Sequence, residues 1–342
     1  MTAHDVEYIE LYASDQKTTV DYFVSSFGFT EAARASADGK DSVLLRQGGV
    51  QLVIASGTAT AAFLAEHGDG IADIAFACED AAATAAGALA AGGRSYGAGG
   101  AGAPVVSGFG AVRHTLVQRP AGTAPGLPGD RPWVAGATTG TGAGVPELRA
   151  LDHVAVCLDA GTLHDVVRYY LDGFGFDQFY SEYVAVGEQA MDSIVVRSPS
   201  GGITFTIIEP DVTKKPGQID EFLKRNGGGG AQHLAFLVDE IVPAVLEFQH
   251  RGVEFLQTPD TYYDVLADRI PRLEAEIAEL RKTNVLADRD EWGYLLQLFT
   301  RSPFERRTLF FELIQRQGAQ GFGSSNIRAL YEAVERARSV AP

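Results

Sequence analysis

Three residues at nearly equal intervals carry side chains that together can bind a transition metal. His153 lies in a stretch that alternates apolar and polar residues, His233 lies in an apolar stretch, and Glu312 lies in the apolar run LFFELI. A carboxylate among such neighbours is costly to bury unless it is paired or bound to a metal. Two neutral imidazoles and one carboxylate form the facial triad, which binds Fe(II) and leaves coordination positions open.

The elements that would position these residues occur twice in the chain. VEYIELYASD and LDHVAVCLDA both alternate as half-buried strands do, and each precedes a helical stretch that ends in a GFGF-like turn. The matching stretches are, in order, 6–15 with 151–160, 67–96 with 226–256, and 111–119 with 307–316. Each copy therefore predicts β-α-β units in the same order.

Alignment of the two copies tests whether the three residues form a set. It pairs Tyr8 with His153, Asp73 with His233, and Thr115 with Glu312. One copy holds a complete ligand set and the other holds none. A single histidine would more often be a hydrogen-bonded core or surface residue, but two on equivalent strands with a buried glutamate favour a metal site.

The repeat divides the chain into two domains. We expect a degenerate first domain at 1–120, a linker rich in Pro, Gly and Thr at 121–150, and a catalytic domain at 151–342. An insertion at 258–294 has apolar residues that step by four and three, which predicts one helix that Pro271 starts or kinks. A final amphipathic helix is predicted near the C-terminus.

Composition excludes several classes of function. The chain has 342 residues and a net charge of −16, so we expect neither a nucleic-acid partner nor a membrane partner. No apolar run is long enough to span a bilayer, and the acidic start lacks the features of a signal peptide. Cys78 and Cys157 form no CxxC pair, which excludes a disulfide scaffold and a thiolate zinc site. We therefore expect a cytoplasmic protein.

Several longer motifs make the chain resemble the 4-hydroxyphenylpyruvate dioxygenase family of the vicinal oxygen chelate superfamily. They are LDHVAV (151–156), QIDEFL (218–223), GGGAQHLAF (228–236), FLQTPDTYYD (255–264), GYLLQLFT (293–300), FFELIQRQG (310–318) and GFGSSNIRALYEA (321–333). The resemblance spans nearly the whole chain. It implies an α+β fold of two glyoxalase-like modules, each an open barrel of paired βαβββ units, with a C-terminal lid helix. It also implies Fe(II) held by His153, His233 and Glu312.

Two activities on one substrate are known in this family. Both consume 4-hydroxyphenylpyruvate and O2 and release CO2. One yields homogentisate and the other yields 4-hydroxymandelate, which the resemblance implies is a precursor in the biosynthesis of hydroxyphenylglycine and glycopeptide antibiotics. The homogentisate-forming members usually read P-I/L-N-E-P and G-N-F-x-x-L-F. This chain departs from these patterns at Thr206, Ile208, Ile327 and Tyr331. These departures favour 4-hydroxymandelate as the product, with homogentisate as the alternative.

The resemblance also implies further substrate contacts. Gln218 and Gln297 are expected near the chelated keto acid. Ser193 and Thr206 are expected at the phenol end of the substrate. Phe299 and Phe310 are expected to pack against its ring. We expect a homo-oligomer, a dimer. Two other readings stay open: an extradiol catechol dioxygenase with the same ligand set, and a metal-free module that sequesters a small antibiotic.

Overall fold

The repeat predicted from the sequence appears as two strand-rich modules. The structure, a computed structural model, describes residues 3–99, 102–129, 131–139 and 148–327. Each module contains two βαβββ units, in which one strand precedes a helix and three strands follow it. The α+β fold of two glyoxalase-like modules is therefore confirmed.

The described strands of the first module form one nine-stranded sheet. They are β1 (Ala3–Tyr12), β2 (Thr30–Ala37), β3 (Lys40–Gln47), β4 (Val50–Ser56), β5 (Gly70–Cys78), β6 (Ser95–Ala98), β7 (Pro104–Ser107), β8 (Arg113–Gln118) and β9 (Val134–Thr139). Their order in the sheet is β6-β7-β8-β5-β1-β4-β3-β2-β9. The antiparallel pair of β1 and β5 joins the two units.

The described strands of the second module form an eight-stranded sheet. They are β10 (Ala150–Cys157), β11 (Asp177–Val186), β12 (Gln189–Arg197), β13 (Thr204–Pro210), β14 (Gly230–Leu237), β15 (Leu286–Arg289), β16 (Tyr294–Phe299) and β17 (Phe310–Gln317). Their order is β11-β12-β13-β10-β14-β17-β16-β15. Here the antiparallel pair of β10 and β14 joins the two units.

Short helices connect the strands. They are α1 (Gln16–Tyr22), α2 (Ala61–His67), α3 (Ala81–Ala90), α4 (Leu163–Phe174), α5 (Gln218–Asn226), α6 (Ile241–His250), α7 (Asp260–Tyr263), α8 (Leu266–Arg269) and α9 (Ile277–Thr283). The GFGF-like turns end the first helical segment of each module, because Gly28 and Gly175 adopt positive φ values of 79° and 69° that a glycine reaches without strain. No described helix has the length and apolarity needed to cross a membrane.

Strand register confirms the alignment of the two copies. Tyr8 pairs with Ala75 on β5, and His153 pairs with Ala235 on β14. Two residues earlier on those partner strands stand Asp73 and His233. On the neighbouring strands, the same register makes Thr115 the counterpart of Glu312.

Strand alternation decides which side chains enter the second barrel. Phe311 and Leu313 of β17 are buried in the large core that the two modules share, so Glu312 between them faces the barrel interior. Aromatic rings of the first module pack into that shared core: the ring centroids of Phe23 and Phe311 are 5.3 Å apart. The shared core thus fixes the strands that carry the candidate site.

Two expectations about the connecting segments need correction. Part of the predicted linker, 121–150, forms β9, which pairs with β2 and extends the first sheet. The predicted insertion helix is wrong as a single element, because α8 ends where Ile270 adopts φ −137° and a short 3-10 turn, Pro271–Leu273, precedes α9. Proline lacks the backbone N–H that a continuous helix would need.

Candidate metal centre

Three strands of the second barrel bring the predicted ligands together. His153 lies on β10, His233 lies on β14 and Glu312 lies on β17, which are neighbours in the sheet. One ligand atom of each lies within 4.8 Å of the other two, and this is the one such trio found among the described residues. Oε2 of Glu312 is 3.4 Å from Nε2 of His153 and 3.2 Å from Nε2 of His233.

Unpartnered polar atoms show that this trio fits a metal ion. Oε1 of Glu312 is buried and has no hydrogen-bond partner in the described part of the chain, and the same holds for Nε2 of His233, whose 3.2 Å contact with Oε2 of Glu312 lacks hydrogen-bond geometry. The Glu312 side chain is only 2% exposed, and an unpaired buried carboxylate oxygen costs free energy. A cation held between the two imidazoles and the carboxylate would satisfy both atoms, and this donor set suits Fe(II).

A second layer of hydrogen bonds orients the first imidazole. Nδ1 of His153 lies 2.8 Å from Oδ1 of Asp152. Arg316 donates from Nε and Nη2 to the two oxygens of Asp152, each at 2.7 Å. Because Nδ1 is engaged in this way, Nε2 remains free to face the metal position.

Burial and mutual contacts shift the pKa values of the three side chains. Burial acts against the imidazolium of His153, yet hydrogen bonds to Asp152 and Glu312 raise its pKa to about 9. Burial lowers the pKa of His233 from its ordinary value. Burial opposes ionisation of Glu312, but the two histidines outweigh it and lower the pKa of the carboxyl. A metal ion would therefore displace a proton from His153.

Aromatic rings enclose the trio. The ring of Phe310 is 5.1 Å from that of His233, and the ring of Phe299 is 5.6 Å from it. On the other side, Phe322 meets the His153 ring edge-on at 5.0 Å. Phe299 and Phe310 thus both pack against His233; their role as walls for a substrate ring stays a prediction.

Gln297 also reaches the interior of this barrel. It lies two residues before Phe299 on β16, on the face that Phe299 shares with Glu312. The residue is 2% exposed, and its Oε1 has no hydrogen-bond partner among the described residues. Gly323 lies against this amide, since a Cβ atom added there would collide with it. The amide is therefore confined, and its oxygen has no hydrogen-bond partner among the described residues.

The other predicted substrate contacts lie farther along the same barrel. Ser193 on β12 pairs with Ile208 on β13, while Thr206 pairs with Ala155, two residues from His153. Ile208 packs against a small apolar cluster that includes Met191 and Phe222.

The end of the described chain meets that same cluster. Ile327 packs against it, at the end of a helical turn that starts at residue 324. Gln218 is exposed at the first position of α5 and lines a cavity of about 60 Å³ with Met191 and Ile327. Tyr331 and most of the predicted lid helix lie outside the described residues.

Comparison with known proteins identifies the family. Residues 1–124 match the family model described as hydroxyphenylpyruvate dioxygenase, N-terminal, and residues 150–298 match that of the glyoxalase/bleomycin resistance protein/dioxygenase superfamily. The 4-hydroxyphenylpyruvate dioxygenase of Yarrowia lipolytica is 30% identical over 359 residues, which cover 96% of this chain and 91% of that protein. The chain belongs to the 4-hydroxyphenylpyruvate dioxygenase family.

Other members of this family extend the comparison. The 4-hydroxyphenylpyruvate dioxygenase of Aspergillus fumigatus is 30% identical over 387 residues, which cover 98% of this chain and 92% of that protein. The solved structure of a triple mutant of 4-hydroxymandelate synthase from Streptomyces coelicolor has 48% identity and a TM-score of 0.88, and the match covers 99% of this chain and 100% of that one. The chain is thus a dioxygenase-family enzyme with a close structural likeness to a 4-hydroxymandelate synthase.

Three residues around the candidate metal centre were not predicted from the sequence. Asp152 and Arg316 orient His153, and Phe322 covers it. Asp152 stands beside His153, and Arg316 is a charged residue on the strand of Glu312. The opposite charges of these two residues, on the two outer strands of the three that carry the trio, are the trace of this contact in the sequence.

Proposed function

We propose that this enzyme converts 4-hydroxyphenylpyruvate and O2 into 4-hydroxymandelate and CO2 at an Fe(II) ion. The carboxyl group of the substrate leaves as CO2. One oxygen atom enters the new carboxylate and the other enters the benzylic C–H bond, so atoms balance. The observation that carries the proposal is the convergence of His153, His233 and Glu312 with two buried ligand atoms left unpartnered.

The residues that would hold the iron come from three different strands. When bound, Fe(II) supplies the redox chemistry with O2 and the coordination positions for a 2-oxo acid. Nε2 of His153, Nε2 of His233 and the carboxylate of Glu312 are the donors. Asp152 and Arg316 keep the His153 ring in the orientation that presents Nε2.

Side chains around the trio bind and shield the substrate. The confined amide of Gln297 meets the substrate once it enters, and its unpaired oxygen accepts a hydrogen bond from the phenol O–H, the hydroxyl donor of 4-hydroxyphenylpyruvate. Phe299 and Phe310 flank the aromatic ring. Phe322 and the helical segment after it exclude water from the reacting atoms. Asp288 accepts the backbone N–H of Ser325 at 3.0 Å and holds the start of that segment.

Product choice depends on how the ring is placed. Ile208 and Ile327 pack against the same apolar cluster at one end of the barrel, where the homogentisate-forming pattern has an amide and a phenyl ring. An apolar end without that amide lets the ring sit so that the benzylic carbon faces the oxidant. A shift of about 1 Å changes such rates about a hundredfold. The likeness to 4-hydroxymandelate synthase supports the same choice.

Product analysis tests the proposal. The protein is loaded with Fe(II) without oxygen, mixed with 4-hydroxyphenylpyruvate, and exposed to O2. Because the two products are isomers, NMR must distinguish them: 4-hydroxymandelate keeps a para-substituted ring and shows a carbinol C–H, whereas homogentisate shows a trisubstituted ring and a methylene. A para-substituted product is expected, and homogentisate as main product would overturn the synthase assignment.

The homogentisate-forming reaction is the second candidate, because the sequence relatives at 30% identity carry the name 4-hydroxyphenylpyruvate dioxygenase. A parallel assay that supplies catechols tests the extradiol alternative. Consumption of catechols without turnover of the keto acid would indicate an extradiol dioxygenase. The homodimer stays a prediction, which sedimentation tests, and the buried free thiols of Cys78 and Cys157 support a reducing, cytoplasmic location.

A further inference from the structure

The barrel of the first module contains a charged cavity at the position where the second module holds its candidate metal centre. The cavity has a volume of about 210 Å³ and is lined by residues of β1, β3, β5 and β8. Asp73 and Thr115 on its wall are the register counterparts of His233 and Glu312. The reaction proposed above uses none of these first-module residues.

A buried ion-pair network forms one wall of this cavity. Glu10 is 2% exposed, and its carboxylate accepts from Nζ of Lys40 at 3.2 Å and from Nη1 of Arg131 at 2.8 Å. Burial opposes ionisation of Glu10, but the two cations outweigh it and lower the pKa of the carboxyl. Lys40 and Arg131 thus both contact the carboxylate of Glu10, which is fully engaged in ion pairs on this wall.

The second acid of the cavity, Asp73, is engaged by a neighbouring strand. Asp73 is buried and accepts the backbone N–H of Thr115 at 3.1 Å and its hydroxyl at 2.7 Å. Burial and the charge of Glu10 raise the pKa of Asp73 to about 7. Near neutral pH a large share of Asp73 is therefore uncharged. Asp38 also lines the cavity but is exposed to solvent, where its charge is screened.

Arg113 presents a third cation at the mouth of the cavity. Its guanidinium lies 4.2 Å above the ring of Tyr96, and it forms no ion pair with any residue in the described ranges. Tyr12 contributes a second ring to the wall, with Nζ of Lys40 5.6 Å from its centre. The cavity therefore combines a cation that forms no ion pair among the described residues with two tyrosine rings.

We propose that this cavity is a second ligand site, which binds a small aryl carboxylate with its carboxylate on Arg113 and its ring beside Tyr12 and Tyr96. Arginine binds a carboxylate through two parallel hydrogen bonds, and flat tyrosine faces accept a ring. The volume lies below the range of about 300–1,000 Å³ that is typical of pockets for drug-sized ligands, so a single-ring acid fits best. The proposal rests on first-module residues alone and does not depend on the reaction of the second module.

Calorimetric binding of 4-hydroxybenzoate tests this site in the full-length, Fe(II)-loaded protein under anaerobic conditions. Arg113→Gln should weaken binding by about tenfold or more, because an exposed cation that pairs with the ligand is lost. Arg94→Gln, which changes another exposed arginine of the same module, should leave binding unchanged. Tyr96→Leu should weaken binding as well, and His233→Ala should leave this site intact.

Three results would overturn the proposal. Loss of binding in His233→Ala with full binding in Arg113→Gln would place the probe at the metal centre. Equal affinity for acetate, which lacks a ring, would show that the two tyrosines do not select an aryl group. Absence of saturable 4-hydroxybenzoate binding at millimolar concentration would remove the site altogether. Failure of the reaction proposed for the second module would appear separately, as missing product.

Discussion

Nδ1 of His153 lies 2.8 Å from the carboxylate of Asp152, the residue that precedes it in the same strand. Adjacent residues of a regular strand face opposite sides, so this contact requires an irregularity. The register of β10 against β14 shifts between Leu151 and His153, which is a β-bulge at Asp152. Bulges of this kind commonly re-aim a side chain beside an active site.

The first module contains the same pair without the metal ligands. The register of β1 shifts at Glu7, whose carboxylate accepts from Nε of Arg119 at 2.6 Å. By the strand alignment, Glu7 and Arg119 are the counterparts of Asp152 and Arg316. The acid–arginine pair is therefore part of the module's framework, and the second module additionally uses it to orient an imidazole.

Asp152→Asn is expected to weaken Fe(II) binding about 10- to 100-fold, the usual effect of losing an outer hydrogen-bond partner of a ligating histidine. Glu7→Gln is the matched control, because it alters the equivalent pair far from the metal ligands. Both variants should lose some stability, measured by urea unfolding, and only Asp152→Asn should lose affinity, measured by anaerobic titration. Equal Fe(II) affinity of the two variants would refute the orienting role.

Gln297→Met is expected to leave the free energy of unfolding within about 1 kcal/mol of the wild type, since the buried Oε1 has no partner to lose. The same change should lower kcat/KM for 4-hydroxyphenylpyruvate at least about tenfold, because the substrate loses a hydrogen bond. Denaturant titration and steady-state oxygen uptake measure the two effects. A destabilised variant with normal kcat/KM would show that Gln297 is structural instead.

The fold and the approach of His153, His233 and Glu312 to one another could be predicted from the sequence for a physical reason. Polar residues such as His233 and Glu312 in apolar strands are rare, and a repeat supplies an internal comparison at each position. The charges of Asp152 and Arg316 hint at a pair, but the contact of Asp152 with His153 could not be predicted from them, because it depends on a bulge that shifts one residue across the sheet. The exposure of Gln218 depends on how α5 packs at the barrel end, which its sequence pattern does not specify.

In the insertion at 258–294, the apolar pattern predicted the buried residues correctly but the secondary structure wrongly. Leu266, Ile270, Leu273 and Leu280 are all buried, as the spacing by four and three predicts. They reach the core from α8, a 3-10 turn and α9 instead of from one helix. Apolar spacing reports which side chains are buried, while Pro271 decides where the backbone hydrogen bonds break.

Ile327→Phe is expected to divert part of the product from 4-hydroxymandelate to homogentisate. The larger ring enters the apolar cluster at the barrel end and displaces the substrate ring towards the placement of the homogentisate-forming members. Leu223→Met, which alters another residue packed against that cluster, is the control and should leave the product unchanged. NMR of the product mixture measures the ratio. An unchanged ratio of the two products in Ile327→Phe would show that Ile327 does not determine which product forms.

Asp73 is expected to make stability depend on pH. Burial raises its folded pKa to about 7, above the ordinary value of 3.8, so the neutral form is favoured in the folded state. Its contribution to stability is complete below pH 3.8 and is lost as the pH rises through 7. Asp73→Asn should therefore gain stability relative to the wild type between pH 5.5 and pH 8.

Urea unfolding at those two pH values measures the difference. Asp172→Asn, a change at an exposed carboxylate on α4, should follow the wild type at both. A constant difference in the free energy of unfolding between wild type and Asp73→Asn would mean that Asp73 titrates normally.

Fe(II) stoichiometry tests the convergence of the three ligands most directly. Anaerobic equilibrium dialysis should give one Fe(II) per chain for the wild type and for His164→Ala, which removes an exposed histidine of the same module. Glu312→Ala should give less than about one-tenth of an equivalent under the same conditions, with circular dichroism unchanged and no turnover of 4-hydroxyphenylpyruvate. A full equivalent of iron and normal turnover in Glu312→Ala would contradict the account.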